Sequence, residues 1–364
     1  MEELQQPKAP KGFKHWIASH KILLISIGSV LLVAGVTTTA FMLFYKQPVE
    51  VAPAAVVKAK PEPEPEPPKF YSPLTGNLVA TEAATTQAVT AIMIENSPDA
   101  RPQSGLKDSG VVFEAIAEGG ITRFLVIYQQ EKPQLIGPVR SVRMYYVDWA
   151  AAFNASIAHI GGSAAALAEV RNGNYRDIDQ FFNASAYWRA TDRYAPHNVY
   201  TSFERLDALN LAKGYTSSTF TGFARDDSEK ADAPTATAIQ VVISSSLYNS
   251  TYAYDATTNL YNRSQAGAPH TDREAGQISP RVVIVMKVAE STVLEDGFRK
   301  QIATIGTGSA TIFQNGTVQE VTWNKPSKTD QITFTNAEGA PVPLARGQTW
   351  ITAIPNGVGS VSWQ

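Results

Sequence analysis

Arg123, Arg140, Arg143, Arg189 and Arg193 fall in one stretch of the chain, each near the end of an expected strand or helix. A guanidinium grips phosphate or carboxylate through two parallel N–H groups and keeps its charge when partly buried. Arg140 and Arg143 stand three apart in IGPVRSVRMYY (136–146), just after the apolar run ITRFLVIYQ (121–129). Arg123 lies inside that run, and a charge in an apolar strand must be paired or ligand-bound. Glu114 and Glu118 on the preceding strand are its internal partners. Two readings follow. Either these groups form a structural Arg–Glu network, or a glutamate holds a divalent cation such as Mg2+ on a diphosphate that Arg123, Arg140 and Arg143 neutralise. In the second reading Glu114 is the metal ligand and Glu118 joins the catalytic groups.

Three histidines follow the N-terminal fifth of the chain, each in a small polar cluster. His159 lies in AHIGGS, between a short strand and a helix beginning near Ser163, whose free N–H groups suit an anion. His197 lies in RYAPHNVY, downstream of Arg189 and Arg193 and next to Asn198; His270 lies in GAPHTD, two before Asp272. Imidazole titrates near neutral pH, so His159 and His197 are the candidate acid and base. Ser163, Arg189, Arg193, Asn198, His270 and Asp272 complete the ligand-binding set. A lone buried histidine is more often structural, but loops on a rigid scaffold are where sites are built. GxSxG, HExxH and GxxxxGK[ST] are absent, so a serine triad, a zincin and a Walker loop are not indicated.

The elements that position these groups read from hydrophobic period and turn residues. VTAIMIE (89–95), VVFEAIA (111–117) and ITRFLVIYQ are strands, SIAHI (156–160) is a short buried one, and 144–154 and 163–171 are helices. These make an α/β mixed-sheet layered domain over 71–223. The polar stretch 224–238 is a linker, and 239–364 is a β-rich second domain in which Asn315-Gly316 marks a hairpin. No internal repeat is present.

Ahead of these lie a tail (1–21), an apolar run (22–45) and a Pro/Glu-rich stretch (46–70). The run ILLISIGSVLLVAGVTTTAFMLFY carries no charge and is long enough for a bilayer core. Lys8, Lys11, Lys14 and Lys21 precede it while Lys46 alone follows closely, which places the N-terminus in the cytoplasm and the rest outside. Its length favours an uncleaved single-pass anchor over a signal peptide. The Pro/Glu stretch is a polyproline-II stalk. A net charge of −2 over 364 residues offers no field for nucleic acid, and the absence of cysteine excludes disulfides and thiolate chemistry.

SPLTG (72–76), EGGITRF (118–124), IGPVRSVR (136–143), HIGGS (159–163), RYAPHN (193–198), GAPHTD (267–272) and GQTWITAIP (347–355) together resemble the YerB-like family of bacterial envelope proteins, built on a two-part domain of unknown function (DUF3048). The resemblance implies an exported, membrane-attached protein; this chain departs from it in having an apolar anchor and no lipobox cysteine. ITRFLVIY…QLIGPVRSVR is also similar to the core of LytR-CpsA-Psr envelope enzymes, whose loop arginine binds a polyprenyl diphosphate-linked glycan. The Asp that follows that arginine there is Ser141 here. The resemblance implies a phosphotransferase-like enzyme if the chain is one at all. The expectation is an extracytoplasmic protein that binds an anionic envelope glycan through an Arg-rich cleft, or else a non-catalytic adaptor docking an envelope protein or peptidoglycan.

Overall fold

The computed structural model describes residues 20–46, 68–293 and 299–364. Most of the expected tail and most of the expected stalk lie outside the described residues. Helix α1 (Lys21–Phe44) is apolar on every side, with a mean hydropathy of 2.1 over its best window. At about 1.5 Å per residue its 24 residues reach beyond a hydrocarbon core of about 30 Å. Its polar side chains turn inward: Ser26, Ser29, Thr38 and Thr39 donate to carbonyls four residues back, so no hydroxyl needs an outside partner.

From residue 68 onward the chain folds as one compact unit. Strands β1 (Thr90–Glu95), β2 (Val111–Glu118), β3 (Ile121–Tyr128), β4 (Ser156–Ala158) and β5 (Arg176–Asp177) come first. β6 (Ala238–Val242), β7 (Ser250–Asp255), β8 (Leu260–Gln265), β9 (Ala268–Pro269), β10 (Val282–Val288), β11 (Gly306–Gln314), β12 (Thr317–Lys325), β13 (Thr333–Thr335), β14 (Thr349–Pro355) and β15 (Ser360–Trp363) follow. The large sheet has the order β13-β12-β11-β10-β14-β2-β3-β1-β4-β5, and a smaller one the order β9-β8-β7-β6-β15. The segments on either side of 224–238 therefore meet inside one sheet, where β14 lies parallel to β2 with Thr349 beside Val111 and Thr352 beside Glu114. The mixed α/β character and the β-rich second half are both as expected.

Why the central strands are apolar throughout follows from this layering. Every residue of β1 is buried, because both faces of the sheet are covered. Ala91, Met93, Phe113 and Leu125 face helix α2 (Met144–Ala151), which supplies Tyr145, Tyr146 and Trp149. Ile92, Ile94, Phe124 and Val126 face the smaller sheet (Ile239, Val241, Tyr252, Tyr261) and helix α4 (Phe203–Ala212), with Phe203 and Leu206. Helix α3 (Ala164–Val170) lies beside α2, and its Ala166 and Val170 join the first of these cores. The expected hairpin joins β11 to β12, with Asn315 at φ +59 and Gly316 at φ +76, the two left-handed residues such a turn requires.

Candidate functional site

β1 and β4 run parallel, as do β4 and β5, and the 136–143 loop is laid across their carboxyl ends. Arg140 N donates to Met93 O (2.8 Å), and Ile160 N donates to Arg140 O (3.1 Å). In open α/β sheets this edge is where ligands sit. Gly137 is needed beneath it, since a Cβ there would lie 2.7 Å from the Tyr200 ring. The loop turns its two arginines to different carboxylates.

Arg143 is the inner one. Its Nε and Nη2 donate to Glu118 (3.1 and 2.7 Å), and Arg123 Nη2 donates to the same carboxylate (3.0 Å). Backbone oxygens of Ser141 and Val142 accept from the remaining Nη1 groups, each at 2.8 Å. Burial would raise Glu118, but the Arg123 and Arg143 charges outweigh it and hold the carboxyl below its ordinary value. Burial, and then the neighbouring Arg123, lowers Arg143. The Arg–Glu network forms here, and Glu118 is its anchor rather than an acid facing a substrate.

Arg140 is the outer one. Its Nε lies 3.3 Å from Glu95 Oε2, within ion-pair distance, yet the N–H is not aimed at it and neither atom makes a hydrogen bond. Glu95 is buried, and its Oε1 accepts from Ser97 Oγ (2.9 Å) and faces His197 Nδ1 (2.9 Å). Nδ1–H is assigned as the donor to that carboxylate, and Nε2 lies 3.9 Å from Asp99 Oδ2. His197 lines an open cavity of about 530 Å3 with Asp99, Asp192, Arg193, Tyr194 and Arg273. Arg193 is spent on the carbonyls of Asp99 (3.0 Å) and Pro102 (2.6 Å), and Arg189 on Asn198 Oδ1 (2.8 Å). Asn198 in turn donates to Ala190 O at 3.2 Å.

His159 sits at the end of β4, fully buried. Its Nδ1 faces Gly161 O (2.9 Å) and its Nε2 faces Asp177 Oδ1 (3.0 Å). His159, Asp177 and Asp179 bring donor atoms within 4.8 Å of one another, a grouping that suits a cation. Arg171 already supplies one, hydrogen-bonded to Asp179 and 3.7 Å from Asp177. The Gly-Gly turn admits a neighbouring loop rather than a ligand, because a Cβ on Gly162 would meet Val142 at 2.8 Å. Ser163 caps a helix of only seven residues by accepting from Ala166 N.

Glu114 and His270, expected to face a ligand, lie instead inside the body between the two sheets. Glu114 accepts from Arg263 Nη2 (2.8 Å), Thr122 Oγ1 (3.1 Å) and Trp350 Nε1 (3.2 Å), which leaves no open position for a metal. Arg263, fully buried, also donates to Tyr252 Oη (3.2 Å), Gln265 Oε1 (3.0 Å) and His270 Nδ1, and it stacks on Trp350. His270 Nε2–H donates to Gln103 Oε1 (3.0 Å). Asp272 accepts from the backbone N–H groups of Lys107, Glu274 and Ala275. These are structural roles. Burial, then the Arg263 charge, pushes His270 well below its ordinary value. A depressed folded value means stability that is whole above about pH 6.5 and lost as pH falls towards the folded value. Thermal unfolding between about pH 8 and 5 should fall more steeply for the native chain than for His270→Gln.

Glu95, Ser97, Asp177, Asp179 and Arg263 were not singled out from the sequence. Glu95 carried the same signal as Arg123, a charge in an apolar strand; Arg263 carried a weaker one, in LYNRSQ.

The model described as "Protein of unknown function (DUF3048) N-terminal domain" matches residues 74–216, and that of the DUF3048 C-terminal domain matches 239–351. The "Putative lipoprotein YerB" of Bacillus subtilis (strain 168) is 32% identical over 293 residues, covering 79% of this chain and 87% of its own. The crystal structure of YerB from Bacillus subtilis is similar at a TM-score of 0.72 and 31% identity, over 81% of this chain and 100% of that one.

Proposed function

The chain belongs to the two-part DUF3048 family, and from the edge built by β1, β4 and the 136–143 loop we propose that it binds an anionic envelope glycan, phosphorylated or polyprenyl diphosphate-linked, at Arg140 and His197. One observation carries this reading. The Arg140 Nε is buried without a hydrogen-bond partner, and Glu95, 3.3 Å from it, holds the histidine that lines an open cavity. Buried polar groups are seldom left so, and an anion reaching Arg140 would satisfy the guanidinium.

The protein binds without making or breaking bonds. Arg123, Arg143 and Glu118 are consumed by one another, and both ring nitrogens of His159 are engaged. On this reading α1 is an uncleaved anchor with its N-terminus in the cytoplasm. The internal bonding of Arg123, Arg143, Arg189 and Arg193 favours a second reading, an adaptor docking an envelope protein or peptidoglycan.

Inorganic diphosphate titrated calorimetrically into the detergent-solubilised full chain separates the two. Arg140→Ala should weaken binding by about tenfold or more. The same affinity in the variant removes the anion site and leaves the adaptor.

A further inference from the structure

One open groove of the body holds none of the groups discussed so far. It measures about 950 Å3 and runs between the end of α2, the 174–176 segment, Thr219–Thr221 and the loop after β12. Its charges cancel, Arg176 and Lys328 against Glu169 and Asp330. The rest is mainly neutral polar side chains, among them Asn154, Asn174, Asn324 and Gln331, with the rings of Tyr175 and Phe220.

The walls are already set. Glu169 Oε1 accepts from Tyr175 Oη and Lys328 Nζ, each at 2.7 Å, which ties the α3 side to the far loop. That loop is wound on Lys325, whose buried Nζ donates to the carbonyls of Ser327 (2.9 Å), Lys328 (2.7 Å) and Asp330 (2.7 Å). Phe220 is fixed against Phe153. Asn174 and Asn324 keep their side-chain amides without a hydrogen bond among the described residues.

Such a surface suits one ligand chemistry. An amide both donates and accepts, as a sugar hydroxyl does, while an aromatic ring accepts the apolar face of a pyranose. A neutral groove has nothing to hold a polyanion, and its size is that of a ligand site rather than a protein interface. We infer that this groove binds an uncharged oligosaccharide segment, with Tyr175 and Phe220 as the ring platform and Asn174 and Asn324 as hydroxyl partners. It deepens the envelope-glycan reading by adding a second subsite for the sugar backbone, separate from the anion at Arg140. Hydrogen bonds from Lys328 and Tyr175 hold Glu169 below the ordinary carboxylate value, so it stays an acceptor and does not act as an acid.

The test titrates a soluble N-acetylglucosamine tetramer, and in a parallel arm maltotetraose, into the full chain by calorimetry. Binding of either saccharide that weakens about tenfold in Tyr175→Ala and in Asn324→Ala, and is unchanged in Arg140→Ala, is the expected result. The arm that binds identifies the source, an amino-sugar strand or a plain glucan. Asn324 is a half-buried residue of β12 on the opposite wall, and Asn324→Ala guards against a folding defect in Tyr175→Ala. Failure of both saccharides to bind, or equal affinity in both groove variants, overturns the inference. Loss in Arg140→Ala alone would move the sugar to the anion edge. The diphosphate titration is read independently of both groove variants.

Discussion

Arg263→Met should lower the thermal midpoint of the folded body by roughly 6–15 °C, corresponding to about 3–5 kcal/mol for breaking a buried ion pair. The substitution leaves Glu114 buried with the neutral donors Thr122, Trp350 and Asn96 in place of a counter-charge, and it strips His270, Gln265 and Tyr252 of a shared partner. An uncompensated charge in a low-dielectric interior is what makes the loss large. Glu114→Leu combined with Arg263→Met should recover part of it, because removing both charges is far cheaper than removing one. The network ties β2 to β8 and β14, so the same experiment reports how strongly the two matched regions are coupled. A midpoint within about 2 °C of the native chain would mean that this network contributes little.

The second large effect is expected at Glu118. Glu118→Gln leaves Arg123 and Arg143 facing each other with no counter-charge, a loss of roughly 3 kcal/mol at neutral pH, at the low end of that range because Glu118 is partly exposed. The sign of its pH dependence is set by the lowered carboxyl. The stabilisation is complete above the ordinary glutamate value of about 4.3 and is lost as pH falls through the folded value. The gap between native and variant midpoints should therefore narrow in acid. A gap that stays constant from neutral pH to about pH 3 would contradict the assignment.

Much of the fold was legible because the strongest periodic segments are also the most buried. TAIMIE, VVFEAIAE and ITRFLVIY have no polar alternation, which is the mark of a sheet covered on both faces. Composition also marked the change of character near 224–238, but it could not show that β14 returns to lie beside β2. That pairing spans more than two hundred residues and leaves no local signal. Within the site, the charge in β3 was rightly taken to need a partner, and Glu118 is that partner. Arg140 and Arg143 looked equivalent at a spacing of three. The loop is extended there, so its geometry and not its spacing sends one to Glu118 and the other to Glu95. His270 illustrates the opposite failure: a Gly/Pro-framed histidine that reads as a loop site is sealed between two sheets by Arg263 and Gln103.

On the proposed reading, Arg140 marks a binding edge for an anionic glycan. Mass spectrometry of material retained by the full chain purified gently from native membranes, beside the same preparation of Arg140→Ala, tests it most directly. A phosphorylated or polyprenyl diphosphate-linked glycan is expected on the native chain, with about tenfold less on the variant. A native chain that carries no such species, or a variant loaded equally, would contradict it.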